Sequence, residues 1–109
     1  MEGRLLTKTS LKSAVLAIIK SRTINNPIRS GEIKRKLGCA GANIREAVNE
    51  LRAVDHLPVC SGSSGYYYPL DKTEAVHTIN HLRSRARAEF KAAEGILKHY
   101  ESAGQMELV

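Results

Sequence analysis

Apolar residues recur at helical spacing in several stretches of the chain. The first such stretch follows Thr9 and Ser10, two residue types that cap helix N-termini. Because its apolar positions fall on one side of a helix, the pattern predicts an amphipathic first helix behind one of these caps. Those positions are Leu11, Ala14, Val15, Ile18 and Ile19.

Two further helices are predicted on either side of a turn of small residues, 38–41. Ser30 is the predicted N-cap of a short helix over Gly31–Leu37, in which Ile33 and Leu37 face inward, and Gly38 ends it. The segment Ala42–Val54 then predicts a third helix, because its apolar residues again share one side. These residues are Ile44, Ala47, Val48 and Leu51.

Two β-prone runs come next, Leu57–Cys60 and Tyr66–Leu70. Five Ser and Gly residues separate them, which predicts a β-hairpin with a flexible tip. Each run contains a proline, and proline within a sheet is confined to edges because it has no N–H to donate. We therefore expect two edge strands.

A long last helix is predicted from Lys72 to about Tyr100. Asp71 stands at its N-cap position, and Glu74 three residues later completes a pattern similar to a capping box. The helix would extend on the order of 40 Å at 1.5 Å per residue, which is longer than so small a domain can cover. We expect its apolar stripe to pair with a second copy of the chain, and folding back onto the first helix is the alternative. The stripe consists of Ile79, Leu82, Ala86, Phe90, Ala93 and Leu97.

Together these elements predict a mainly helical protein with a small β-hairpin and a long C-terminal helix. A chain of 109 residues has room for one small domain, expected over residues 1–70, followed by the helix and a frayed tail over 71–109. The longest apolar run, Ala14–Ile19, is too short to cross a bilayer, and the N-terminus lacks the features of a signal peptide. We therefore expect a cytoplasmic protein with no membrane partner.

Positive charge is concentrated in the first third of the chain. The 17 Lys and Arg residues exceed the 11 Asp and Glu residues, which gives a formal charge of +6. Residues 1–38 hold nine basic and two acidic residues, whereas residues 39–70 hold two basic and three acidic ones. A concentrated positive field attracts polyanions, so nucleic acid is the first partner to consider, and a merely soluble basic surface is the alternative.

The chain predicts no cofactor, metal site or catalytic centre. Cys39 and Cys60 have no neighbouring residues at metal-ligand spacing, and we expect them to be free thiols. His77 and His81 are four residues apart but lack a third ligand nearby. No nucleophile with a base, phosphate-cradling glycine motif or carboxylate pair emerges from the sequence, so we expect a protein that is not an enzyme.

The order of helix, short helix, tight turn, helix and ribbon resembles the winged helix-turn-helix family from about Leu11 to Leu70. Residues 30–38 are similar to its first helix and turn, residues 43–52 to its recognition helix, and residues 57–60 with 65–68 to its wing. The N-terminal DNA-binding domain of biotin-ligase-type repressors is the nearest likeness, and small phage and prophage proteins carry a similar pattern. The chain departs from the pattern at position 40, an alanine where a capping Ser or Thr is common, and in its third helix, which has no net positive charge.

The resemblance implies binding of double-stranded DNA, with the third helix in the major groove and the wing against the backbone or minor groove. On the third helix Arg45, Glu46 and Asn49 point outward, so they are candidates to read guanine, cytosine and adenine edges, and an ordinary solvated face is the alternative. Expected phosphate contacts are Arg29, Lys34, Arg35, Lys36, Arg52, Ser61, Ser63 and Ser64. On the last helix Arg83, Arg87 and Lys91 form a second phosphate track, a partner-binding ridge or a solvated face.

The expected function is sequence-specific DNA binding by a transcription regulator, or by a replication or recombination accessory protein, of a phage or prophage. The alternative is a protein-interaction module that keeps the same frame but binds a host protein, such as an inhibitor of a defence nuclease complex. The neutral third helix and the uncharged hairpin tip favour this alternative.

Overall fold

The computed structural model describes residues 7–102, which form a mainly helical structure with one antiparallel hairpin, as predicted. The expected frayed tail lies outside these residues. No helix within them is both long enough and apolar enough to cross a membrane. The elements are α1 (Lys8–Lys20), α2 (Ser30–Leu37), α3 (Gly41–Ala53), β1 (Cys60–Gly62), β2 (Gly65–Tyr67) and α4 (Lys72–Ser102).

The chain divides into two compact units after Thr78. The division lies eight residues beyond the expected boundary at residue 70, because the first turns of α4 belong with the first unit. In that unit α1, α2 and α3 pack around one core, and the predicted inward residues of α3 are all buried. The core consists of Leu11, Val15, Ile19, Ile28, Ile33, Ile44, Ala47, Val48, Leu51 and Val59.

The first helix begins earlier than its apolar pattern indicates. Thr7 is the N-cap, and its hydroxyl accepts a hydrogen bond from the N–H of Ser10 at 3.0 Å, so the predicted cap at Thr9 or Ser10 is wrong. The reason is that residues 8–10 are exposed, and apolar periodicity does not reveal a polar first turn. The predicted cap of α2 at Ser30 is also wrong, because Ser30 is the first helical residue and Arg29 is the N-cap, with no side-chain capping bond. By contrast, α2 ends as predicted at Gly38, which adopts the left-handed conformation with φ of 62°.

The hairpin is shorter than predicted, and its turn is tighter. Gly62 pairs with Gly65 across a two-residue turn, so a flexible five-residue tip is not what forms. Both prolines lie outside the strands, because a residue without an N–H cannot join the ladder. Both strands are edges of the two-stranded sheet, as predicted, but on the outer side of β2 Tyr66 exchanges two backbone hydrogen bonds of 2.8 and 2.9 Å with Ile28.

The start of α4 is fixed by the predicted capping pattern. Asp71 Oδ1 accepts a hydrogen bond from the N–H of Glu74 at 3.1 Å, and Glu74 Oε1 accepts one from the N–H of Leu70 at 2.9 Å. The hydroxyl of the buried Tyr67 donates to the carbonyl of Glu74 at 3.4 Å. The first turn of α4 is therefore joined to β2 within the first unit.

Candidate nucleic-acid interface

Two cationic side chains lie beside Gly41 at the N-terminal end of α3. A Cβ atom placed on Gly41 would lie 3.7 Å from Nη1 of Arg45 and 3.8 Å from Cδ of Lys34, both ordinary van der Waals distances. Both side chains therefore flank the turn between α2 and α3. No side chain caps the first turn of α3, whose N-cap is Ala40. Positive side chains and the positive end of a helix dipole therefore coincide at this point.

The outward side of α3 carries the residues predicted to face a ligand. Ala42, Arg45, Glu46 and Asn49 are all exposed, while the opposite side is buried in the core. At about 100° per residue, Asn49 lies about 40° round the helix from Arg45 and one turn further along it. Arg45 and Asn49 therefore form a polar strip along one exposed face.

The acidic residues at α3 already have cationic partners on α1. Lys8 Nζ lies 3.0 Å from Glu46, and Lys12 Nζ lies 2.8 Å from Asp55 and 3.5 Å from Glu50. The hydrogen bond with Glu46 is the main cause that raises the pKa of Lys8, and the hydrogen bond with Asp55 has the same effect on the pKa of Lys12. The two carboxylates that cancel the charge of α3 in the sequence, Glu46 and Glu50, thus each pair with a lysine of α1, and Lys12 is shared between Glu50 and Asp55.

Charge is therefore distributed unevenly around α3. Glu46 and Glu50 lie about 100° and 140° round the helix from Arg45, on the side that faces α1. Sequence reasoning missed this arrangement, although the signal was present in two matching spacings. Lys8 and Lys12 are four residues apart, as are Glu46 and Glu50, so each pair occupies one face of its helix.

The basic residues at α2 are placed differently from the α1 lysines. Arg29, at the N-cap of α2, and Lys34, Arg35 and Lys36 within the helix are all exposed. Within residues 7–102 none of the ion pairs involves these four residues, which we call the α2 basic cluster. Their charge is therefore directed to solvent, where a polyanion can approach, and Lys34 lies beside the same turn as Arg45.

Two predicted phosphate contacts instead hold the hairpin in place. Arg52 donates from Nε to the carbonyl of Val59 at 2.8 Å and from Nη2 to Oγ of Ser61 at 3.2 Å. Ser61 also bonds through its backbone to Thr78. Only Ser63 and Ser64, at the turn, are exposed as predicted for the hairpin.

A shallow cavity lies between α1 and α3, with a volume of about 110 Å³. This is smaller than the roughly 300–1,000 Å³ that ligand pockets usually enclose. Glu46 and Lys12, which line it, are already joined to other residues by ion pairs. Its lining residues are Lys8, Leu11, Lys12, Asn43, Glu46, Ala47 and Glu50.

The remaining predicted residues lie on α4, most of them in the second unit. Arg83, Arg87 and Lys91 are exposed on this helix. His77 and His81 are exposed as well, and no group of three metal-binding side chains occurs among residues 7–102. Of the thiols, Cys60 is buried and Cys39 is half-buried against the core.

Comparison with protein-family models, with curated proteins and with solved structures found no match. The geometry of the site is therefore the basis for inferring its function. That geometry consists of an exposed polar strip on α3, an exposed basic cluster on α2, and acidic residues of α3 that pair with lysines of α1.

Proposed function

We propose that the protein binds double-stranded DNA through α2, the turn that follows it and the exposed face of α3. The observation that carries the proposal is the position of Lys34 and Arg45, both beside Gly41 at the start of α3. In a winged helix-turn-helix frame this end of the recognition helix enters the major groove, while the preceding helix crosses the phosphate backbone. The order of the helices and the pairing of Ile28 with the hairpin support such a frame.

In this proposal Arg45 and Asn49 read the bases. Arg45 bonds to the O6 and N7 atoms of guanine, and Asn49 bonds to N6 and N7 of adenine, because these side chains match those base edges in pairs. Glu46 would have to leave Lys8 to accept a hydrogen bond from cytosine, so it contributes less to specificity. The neutralisation of Glu46 and Glu50 by α1 limits their repulsion of the phosphates.

The α2 basic cluster supplies the phosphate contacts, and the Ser63 and Ser64 hydroxyls add neutral ones at the hairpin turn. Arg52 and Ser61 act indirectly, by holding β1 against the end of α3. Such a protein is a regulator, or an accessory of replication or recombination, in a phage or prophage. It works in the cytoplasm, where duplex DNA is its partner, and it needs no cofactor and catalyses no reaction.

The test is fluorescence anisotropy of a labelled duplex pool at several salt concentrations. We expect binding that weakens steeply with salt, and a smaller salt slope in the Lys34→Ala variant, because one phosphate contact is lost. Lys72→Ala is the matched control, since it removes the same charge from an exposed position on α4. Absence of binding at low salt would contradict the proposal, as would equal effects of the two variants.

Base reading is tested separately from affinity. A preferred sequence is first selected from the pool, and the Arg45→Ala and Asn49→Ala variants are then compared on selected and scrambled duplexes. Each variant is expected to lose about 1–3 kcal/mol of discrimination while its binding to scrambled DNA changes much less. Full retention of discrimination by both variants would show that the exposed face of α3 does not read the sequence.

A host protein is the alternative target, and one observation favours it. The exposed hairpin turn of Ser63 and Ser64 presents no charged side chain, whereas a wing that enters a minor groove commonly carries Arg or Lys. If the duplex pool does not bind at low salt, inhibition of a nuclease complex by the intact protein becomes the function to test.

A further inference from the structure

The second unit carries an apolar stripe along one side of α4, and large side chains in it are exposed. Ile79 is 36% exposed, Leu82 is 38% exposed and Phe90 is 74% exposed. The stripe consists of Ile79, Leu82, Ala86, Phe90, Ala93 and Leu97, and we call it the α4 stripe. Successive members are spaced by 3, 4, 4, 3 and 4 residues, so the pattern repeats every 11 residues. This repeat keeps the stripe nearly parallel to the helix axis.

We propose that the α4 stripe binds the same stripe of a second copy in antiparallel orientation. The two-fold axis passes between the two helices at the level of residue 88. The inference does not depend on DNA binding. The sizes of the side chains support this orientation, because each small residue faces a larger one. Ala86 faces Phe90 of the partner subunit, and Leu82 faces Ala93 of the partner subunit. In a parallel pair alanine would face alanine, which leaves a gap, and Phe90 would face Phe90, which crowds the interface.

The charges beside the stripe support the same orientation. In an antiparallel two-fold pair each flank of the helix faces the same flank of the partner. Arg83 and Glu94 lie on the same flank, about 60° and 80° from the middle of the stripe. With the axis at residue 88, Arg83 lies within about one residue, or 1.5 Å, of the level of Glu94 of the partner subunit. In a parallel pair these two residues would be 11 residues apart along the helices, or about 16 Å, which is too far for an ion pair.

A second copy fits this surface because the small and large residues, and the opposite charges, that pair across the interface all occur in the same helix. An isologous interface requires a patch that is complementary to itself under a two-fold rotation. The α4 stripe meets this requirement in size at its centre and in charge on the flank that carries Arg83 and Glu94. In this arrangement Arg83 belongs to the dimer interface, while Arg87 and Lys91 lie further round the helix and remain exposed.

Spin-label distances in the full-length protein test the orientation. Single cysteines replace Glu89 or Lys98, both exposed, in a Cys39→Ser background that leaves the buried Cys60 in place. An antiparallel pair brings the labels at 89, which lie on facing flanks near the two-fold axis, close together and separates those at 98 by about 30 Å along the axis, from 20 residues at 1.5 Å each. Equally short distances at both positions would establish a parallel pair and overturn the proposal. A monomer by sedimentation at micromolar concentration would overturn it as well.

Charge exchange between copies tests the register. The Arg83→Glu and Glu94→Arg variants should each dimerise more weakly than the wild type, by about 2- to 10-fold, because each places like charges together twice. Mixed in equal amounts, they should form mainly heterodimers, in which both ion pairs are restored. The control mixes Lys91→Glu with Glu94→Arg, since residue 91 points away from the interface, and should show no preference. Random pairing in the first mixture would contradict this register, whether or not the protein binds DNA.

Discussion

Thr78 completes the hairpin by bonding twice to the backbone of Ser61. Its hydroxyl accepts a hydrogen bond from the N–H of Ser61 and donates one to the carbonyl of the same residue, both at 3.1 Å. At β1 the sheet ends, and the outer edge of such a strand presents unpaired backbone groups. The hydroxyl of Thr78, a residue only 4% exposed, thus takes the place of a neighbouring strand.

Replacement of Thr78 by valine is expected to lower the free energy of unfolding by about 1–3 kcal/mol. Valine has nearly the same shape but leaves two backbone groups of Ser61 without their partner. Urea denaturation measures the loss, and amide hydrogen exchange at Ser61 should become faster. Thr78→Ser is the control, because it keeps the hydroxyl and loses about 0.8 kcal/mol for one methyl group. A valine variant as stable as the wild type would show that these bonds contribute nothing.

Gly65 lies against the backbone of Ile28 and Arg29, just before α2. Its φ is 131°, and a Cβ atom would lie 2.6 Å from the carbonyl carbon of Ile28 and 2.9 Å from the N of Arg29. We expect Gly65→Ala to cost more than about 2 kcal/mol in thermal or urea unfolding, because strain and overlap act together.

Gly62 provides the matched control, since it pairs with Gly65 but a Cβ atom placed on it would meet nothing within 4 Å. Gly62→Ala should change the free energy of unfolding by less than about 1 kcal/mol. Equal losses in the two variants would mean that glycine matters here only through general flexibility of the hairpin, and not through the contact with Ile28.

Arg52 is expected to affect stability, whereas Arg35 is expected to affect DNA binding. Arg52→Ala removes the bonds to Val59 and Ser61 and should lower the free energy of unfolding by about 1–2 kcal/mol, since hydrogen bonds from charged groups are the stronger ones. Arg35→Ala removes an exposed side chain and should leave stability within about 0.5 kcal/mol. Urea unfolding and DNA anisotropy are measured on both. If Arg52→Ala left stability unchanged and reduced the salt dependence of DNA binding, Arg52 would instead be a phosphate contact.

The helices were predictable because periodicity and burial coincide in them. Ile44, Val48 and Leu51 lie on one side of α3, and only a helix places them together. The hairpin was less predictable, because the β-prone composition of 57–60 does not reveal where pairing begins. Its position depends on a contact between Tyr66 and Ile28, which are far apart in the sequence.

The candidate site shows the same limit. The exposure of Arg45 and Asn49 follows from the helical pattern, so it could be predicted. The inward position of Arg52 could not, because its acceptor is the carbonyl of Val59, which belongs to a loop placed by the tertiary fold. The pairing of Glu46 with Lys8 likewise requires that α1 and α3 are known to be neighbours.

Tyr67 is expected to make the fold sensitive to alkali. Burial is the main cause that raises the pKa of Tyr67 above its ordinary value, so the folded chain holds this proton more tightly than the unfolded chain does. Its contribution to stability is therefore complete below the ordinary tyrosine pKa of about 10 and is lost as the pH rises through the folded value.

Tyr67→Phe should reduce the loss of stability at alkaline pH, measured by urea unfolding at a series of pH values. At neutral pH it should cost less than about 1 kcal/mol, because the bond to Glu74 that it removes is long, at 3.4 Å. Lys8 and Lys12 also have raised pKa values, so their contribution to stability is likewise lost as the pH rises above the ordinary lysine pKa. Both lysines are present in the wild type and in Tyr67→Phe, so their effect cancels when the two proteins are compared. Tyr68→Phe, at a half-buried tyrosine, is the control. Identical alkaline profiles for Tyr67→Phe and the wild type would mean that the proton on Tyr67 is not linked to folding.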